Sequence, residues 1–238
     1  MRIIKTKNYK ELSKKATEIL AEEIKNKPDT TLLLPTGKTP LGLYKNLVKK
    51  YNKKRIDFSK IKIFNLDEYY LIDKDDKRSF NYYLRKNLLD KINAKKENVL
   101  LINGKSKDSK KECENYENKI RKNPVDIAIL GVGKNGHIAF NEPSSKFNSK
   151  TRLVKLTNET IKRNSSFFKK APNKAITLGI KTILSSKKIV LLASGKEKAK
   201  AIKELVSKRI SEEYPVSFLK KHKNLLVIID KEAGKYIK

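Results

Sequence analysis

Short runs of Ile, Leu and Val recur along this chain and alternate with longer stretches whose apolar residues fall at helical spacing. That alternation limits the fold more than any other feature of the sequence. Runs at 31–34, 61–65, 99–102, 126–130, 176–178, 189–193 and 225–229 read as strands. Several are apolar on both faces, as strands covered on two sides must be. Stretches at 9–25, 40–51, 80–91, 110–121, 158–168 and 197–208 read as helices. Pro40 suits a first helical turn, where a missing N–H leaves no bond unmade. Strand and helix in repeated alternation mean parallel strands joined by crossover helices. The expected fold class is therefore α/β: a single doubly wound, mostly parallel, Rossmann-like sheet with helices on both faces. With 238 residues, no internal repeat and no low-complexity linker, one domain over 1–238 is expected. The stretch 141–174 breaks the rhythm with Pro143, Pro172, a short strand candidate at 152–156 and a polar helix. A lid-like insertion at about 144–174 is expected there.

Composition removes several classes of function. No run of eighteen uncharged apolar residues occurs, and the first eleven residues lack the apolar stretch of a signal peptide, so a cytoplasmic protein without membrane association is expected. A lone cysteine, Cys113, cannot form an internal disulfide, and with only two histidines a structural zinc site is not expected. The 57 Lys+Arg against 26 Asp+Glu give a net charge of +31. A nucleic-acid binder concentrates such charge on one stripe, often as Arg interleaved with aromatics. Here the excess is lysine spread from Lys5 to Lys238, accompanied by abundant Asn and Ile. It predicts a general positive field that attracts anionic small molecules, with no nucleic-acid partner.

In open α/β sheets ligands bind beyond the carboxyl ends of the strands, and three segments lie at such ends. In Leu34-Pro35-Thr36-Gly37-Lys38-Thr39-Pro40 a strand runs through a Gly/Thr turn into a helix. Free N–H groups, two hydroxyls and the helix dipole suit a phosphate there, although the Walker spacing is absent. Without a ligand, the same residues are a capped turn with Thr39 as N-cap. In Phe64-Asn65-Leu66-Asp67-Glu68-Tyr69-Tyr70 two carboxylates follow a strand. Neighbours on extended chain point opposite ways, so one of them faces the cleft, where it could serve as a general base. The third segment, Gly131-Val132-Gly133-Lys134-Asn135-Gly136-His137-Ile138-Ala139-Phe140-Asn141-Glu142-Pro143, opens like a dinucleotide fingerprint. It meets Pro143 within seven residues of its last glycine instead of entering a helix, and it sits mid-chain, so the glycines are read as letting backbone approach a small ligand and present His137. Glu142 could orient and charge that imidazole. His222, between two lysines, reads as solvated.

Taken in order, these three motifs resemble those of the glucosamine-6-phosphate deaminase family, the glucosamine/galactosamine-6-phosphate isomerases, over nearly the whole chain. In the sister 6-phosphogluconolactonases a Thr-Ala-Ser-Leu-Phe-like stretch follows the histidine, and the segment after His137 departs from it. The resemblance implies conversion of glucosamine 6-phosphate and water to fructose 6-phosphate and ammonia, without metal or organic cofactor. It makes His137 the ring-opening acid/base, assisted by Glu142 and Asn135, and Asp67 the base that moves a proton between C2 and C1. It places Thr36, Gly37, Lys38 and Thr39 in the phosphate loop and Lys198 as a phosphate lysine. Three positions depart from the family pattern: Asn135 stands where many members have Asp, Ser166 where they have a phosphate-binding Arg, and Lys38 where they have Gly or Ser. Lys38 supplies a point charge without arginine's bidentate geometry; Arg163 lies near Ser166 in sequence. The alternatives are a 6-phosphogluconolactonase-like hydrolase and a non-catalytic sugar-phosphate-sensing regulator, which would need a DNA-binding extension not seen before Arg2. Ending at Lys238, without the C-terminal extension of longer relatives, the chain is expected to be a monomer or small homo-oligomer with hyperbolic kinetics.

Overall fold

The computed structural model describes residues 1–157, 160–161 and 172–237. In chain order the elements are β1 (Arg2–Thr6), α1 (Tyr9–Asn26), β2 (Thr31–Leu34), α2 (Leu41–Asn52), β3 (Lys62–Asn65), β4 (Asp67–Tyr69), α3 (Phe80–Asn87) and α4 (Ser109–Lys122). They continue with β5 (Ile127–Gly131), β6 (Arg152–Lys155), β7 (Lys174–Thr177), α5 (Ile180–Leu184), β8 (Lys188–Ala193), α6 (Ala199–Val206) and β9 (Leu225–Asp230).

Six strands form a parallel sheet in the order β1-β9-β8-β5-β2-β3. Period-two alternation in the apolar runs divides their side chains between two cores. Leu32, Leu34, Ile127, Ile129, Val190 and Leu192 pack with Leu12, Leu20, Leu43 and Leu47 of α1 and α2. Leu33, Ala128, Leu130, Ile189 and Leu191 pack on the opposite face with Tyr116 of α4, Ile183 of α5 and Ile202 of α6. Truncating any of these fully buried leucines to Ala removes about 2–5 kcal/mol. Helix starts are fixed locally. Asn8 Oδ1 accepts the Glu11 N–H (3.0 Å) while Glu11 accepts the Lys7 N–H (2.6 Å), and Asp108 accepts the Lys111 N–H at the start of α4 (2.9 Å).

From β2 the chain steps outward to β3 and later returns to β2's other side as β5. The order therefore reverses between β2 and β5, and a crevice opens beyond their carboxyl ends.

The expected single sheet is accompanied by a second one. Antiparallel β4, β7 and β6 form a three-stranded sheet beside the first. β1 and β4 are additional to the expected strands: β1 is an edge strand of mixed exposure, and β4 is three residues long. The strand expected at 99–102 is a single bridge between Val99 and Ile63. Its ladder stops because the Ile102 N–H turns to the Asn65 side chain (3.0 Å) instead of to backbone. Thr39 does not cap α2: Pro40 holds the cap position and no side chain accepts a bond there. Within the stretch read as a lid, residues 152–155 form β6, while most of the helix expected at 158–168 lies outside the described residues. Among the described residues no helix is long and apolar enough to cross a membrane.

Candidate active site

All the segments singled out in the sequence leave the carboxyl edge of the parallel sheet. The loop after β2 carries Thr36 to Thr39, the loop after β5 carries Asn135 to Glu142, β3 leads directly to Asp67, and the turn after β8 carries Lys198.

The β5 loop presents His137 on a tight backbone turn. The Gly133 N–H donates to the His137 carbonyl (2.9 Å), and Gly136, at φ +82°, donates to the Gly133 carbonyl (3.0 Å). A Cβ on Gly133 would lie 2.2 Å from His137 Cε1 and 2.4 Å from both ring nitrogens. The imidazole therefore rests on bare backbone, which explains a glycine at that position. No helix follows these glycines before β6, consistent with a small-ligand loop and not a dinucleotide turn.

Glu142 returns to this turn. Its Oε2 accepts from Asn135 Nδ2 (2.8 Å) and lies 3.3 Å from His137 Nδ1, while its Oε1 accepts from Thr160 (3.0 Å). Asn135 Oδ1 also accepts the His137 N–H (3.3 Å). His137 Nδ1 is buried, has no aligned hydrogen bond and faces the Glu142 carboxylate. Burial alone would raise the Glu142 carboxyl; His137, Asn135 and Thr160 outweigh it and bring it down to about 2. Glu142 is thus a fixed anion beside the imidazole.

Asp67 and Glu68 divide as the extended backbone requires. Glu68 is fully buried and turns to α3, accepting the N–H groups of Tyr69 (2.8 Å), Phe80 (2.9 Å) and Asn81 (2.8 Å). It anchors a helix start. Asp67 is 7% exposed, and no described residue donates a hydrogen bond to its carboxylate. Burial, then the nearby Glu68 charge, pushes its carboxyl from 3.8 up to about 8.

Several side chains to which the sequence reading gave no role tie these parts together. Asn65 Nδ2 holds the Asp67 carbonyl (2.8 Å). Asp67 pairs with Thr177 across β4 and β7, and Thr177 Oγ1 accepts the Phe140 N–H (3.1 Å). Buried Asn141 donates to the carbonyls of Ile138 (2.9 Å) and Leu178 (2.7 Å), and the Leu178 N–H donates to Leu66 (2.9 Å). The histidine loop and Asp67 are therefore joined through the end of β7. An Asn-Glu-Pro in the motif hinted at Asn141; nothing in the order of residues pointed to Thr160 or Thr177.

In the loop after β2, Gly37 adopts φ +96°, and Lys38 is exposed. Lys198 is half-buried at the end of the 3-10 turn Lys196–Lys198. Asp230 fixes that turn by accepting from Ser194 Oγ (2.5 Å) and the Gly195 N–H (3.1 Å). Ser166 and Arg163 lie outside the described residues. Among the described residues no group of three or more His, Cys, Asp or Glu side chains is placed to hold a metal ion.

Comparison with known proteins identifies the family. The profile of the glucosamine-6-phosphate isomerases/6-phosphogluconolactonase family matches residues 5–228. A glucosamine-6-phosphate deaminase of Thermoanaerobacter sp. is 48% identical over 241 residues, covering 100% of this chain and 95% of its own. One from Clostridium acetobutylicum is 46% identical over 241 residues, with both chains fully covered. A solved structure described as a monomeric glucosamine-6-phosphate deaminase superposes with TM-score 0.96 at 40% identity, covering 99% of each chain. A 6-phosphogluconolactonase from Trypanosoma cruzi superposes with TM-score 0.80 at 23% identity, covering 100% of this chain and 97% of its own, a likeness of fold alone. The chain belongs to the glucosamine-6-phosphate isomerase/6-phosphogluconolactonase family.

Proposed function

We propose that this chain is a glucosamine-6-phosphate deaminase, converting glucosamine 6-phosphate and water to fructose 6-phosphate and ammonia. The observation that carries the reading is the Asn135–His137–Glu142 cluster, backbone-linked to a buried carboxylate at Asp67, in a chain matched end to end by relatives bearing that activity.

The amides of Thr36, Gly37, Lys38 and Thr39 receive the phosphate, with charge from Lys38 and Lys198. His137 transfers the proton that opens the sugar ring and exposes the C1 aldehyde, and Glu142 stabilises its charged form. With the aldehyde free, the C2 proton is acidic. Asp67 takes it, leaving an enol-amine, and returns it at C1, which moves the double bond to C2 and nitrogen. Water adds to that imine carbon and ammonia departs, giving the ketose. At about 8 the carboxyl is a strong base in its ionised fraction, which takes the C2 proton, and it holds that proton well enough to deliver it at C1. No metal or organic cofactor enters these steps. Residues 1–238 are read as one catalytic domain working in the cytoplasm, as a monomer or small homo-oligomer with hyperbolic kinetics and no nucleic-acid partner.

Purified protein given glucosamine 6-phosphate should release ammonia and fructose 6-phosphate in equal amounts and leave 6-phosphogluconolactone unhydrolysed. Lactone hydrolysis without ammonia release would replace this reading with the lactonase one.

A further inference from the structure

Three tyrosine hydroxyls from three different helices converge on the back of the loop after β2. Tyr44 of α2 donates to the Pro35 carbonyl (2.5 Å) and Tyr83 of α3 to the Gly37 carbonyl (2.5 Å). Tyr9, at the start of α1, lies within reach of the carbonyls of Lys38 (3.2 Å) and Thr39 (3.1 Å) and accepts the Gly42 N–H (2.8 Å). The Tyr44 and Tyr83 rings meet edge to face, with centroids 6.4 Å apart. Gly42 is what lets Tyr9 close in: a Cβ there would lie 2.2 Å from Ser13 Oγ and 3.0 Å from the Tyr9 hydroxyl.

A trans peptide is planar, and its C=O and N–H point in opposite directions. Holding the Pro35 carbonyl therefore aims the Thr36 N–H, holding the Gly37 carbonyl aims the Lys38 N–H, and holding the Lys38 carbonyl aims the Thr39 N–H. Among the described residues none of these three N–H groups has an acceptor in the protein. We infer that Tyr9, Tyr44 and Tyr83 are positioning residues for anion binding: each fixes one peptide plane so that its N–H, and not its carbonyl, faces the phosphate. The inference rests on the proposed reading of this loop as the phosphate site. Without the hydroxyls the Pro35 and Gly37 carbonyls lose the donors that hold them and the Lys38 carbonyl keeps only a long bond from the Leu41 N–H (3.4 Å), and a peptide that rotates turns a carbonyl dipole toward the anion, replacing attraction with repulsion. Gly37, at φ +96°, carries no Cβ to resist such rotation, so the restraint has to come from outside the loop. Tyr44 is fully buried and Tyr9 is 37% exposed, so removal of the Tyr9 hydroxyl disturbs packing least.

The test is a series of Tyr9→Phe, Tyr83→Phe and the double variant, read by the KM for glucosamine 6-phosphate, by kcat, and by the Kd for inorganic phosphate from calorimetry. Thermal melts serve as the folding control, and Tyr9→Phe stands in should Tyr83→Phe not fold. Each single change is expected to raise both KM and phosphate Kd about five- to tenfold, with the smaller effect in kcat, and the double change to raise them further. A purely structural role would lower the melting temperature and leave phosphate Kd unchanged, and that result overturns the inference, as would a KM that rises without phosphate Kd. Absence of ammonia release by the unaltered protein would sink the proposed activity instead, while a phosphate Kd raised in the Phe variants would still support the tyrosines' role.

Discussion

Replacing Asp67 by Asn is expected to abolish activity and, at neutral pH, to stabilise the fold. The carboxyl rises from 3.8 to about 8 on folding, so the folded protein holds this proton more tightly than the unfolded chain does. For a group raised in this way, stability is full below about pH 4, declines as the pH climbs through the window between the two values, and levels off above about pH 8. At 1.36 kcal/mol per pH unit, the gap amounts to about 4 kcal/mol at pH 7 and about 6 kcal/mol at its plateau. Asparagine cannot ionise and escapes that cost. With about 2–4 °C per kcal/mol for a chain of this size, Asp67→Asn should melt about 10–20 °C higher at pH 8 and no higher at pH 4. The same change removes the group that accepts the C2 proton, so ammonia release should fall by at least ~10²-fold and by as much as ~10⁴-fold. Thermal melts of both proteins from pH 4 to 9, with parallel ammonia assays, read both effects. A melting difference independent of pH, or a variant less stable at pH 8, would refute the burial argument; activity within threefold would remove Asp67 from the chemistry.

Three further outcomes follow from the site's geometry. Gly133→Ala places a Cβ where the His137 ring rests, so it should cost about as much activity as His137→Gln while far-UV circular dichroism stays unchanged. The Glu142 carboxyl lies at about 2 against an ordinary 4.5, so its contribution is present above about pH 4.5 and is lost as the pH falls toward 2. Glu142→Gln should therefore be less stable than the parent by about 3 kcal/mol at pH 6 in denaturant titrations and match it near pH 2. Lys198→Met should raise the KM for the phosphosugar about tenfold or more and leave circular dichroism unchanged, since it removes a charge-assisted contact to the phosphate; an unaltered KM would take Lys198 out of the site.

Much of the scaffold was legible because parallel strands buried on both faces must be apolar throughout. β2 matches its expected bounds, β8 and β9 differ by one residue at an end, and β5 is shifted by one residue. The four-residue run at 99–102 carries the same signal, yet it makes one bridge, because Asn65 supplies by side chain the acceptor that a ladder would supply by backbone. β4 was illegible for the opposite reason: Asp and Glu disfavour strands and one Tyr is too short a signal, and antiparallel pairing with β7 makes the three residues one. At the site, His137 and Glu142 could be paired from five residues of separation, and extended backbone predicted that Asp67 and Glu68 would part. Sequence could not say which of the two turns inward, since that depends on the N-terminus of α3 being there to receive Glu68. The three tyrosines behind the loop after β2 come from separate helices, so no local spacing announces them.

The proposed reaction turns on one buried carboxylate moving one proton from C2 to C1, and isotope transfer measures that directly. Glucosamine 6-phosphate bearing deuterium at C2, converted in ordinary water, should give fructose 6-phosphate with part of the label at C1 and on a single face of that carbon. Asp67, 7% exposed and without a hydrogen-bond donor among the described residues, has limited contact with solvent through which to exchange it. Mass spectrometry and proton NMR of the product give the retained fraction. Retention that disappears together with activity in Asp67→Asn is the predicted result; a ketose formed with no deuterium at C1, or with label on both faces, would contradict it.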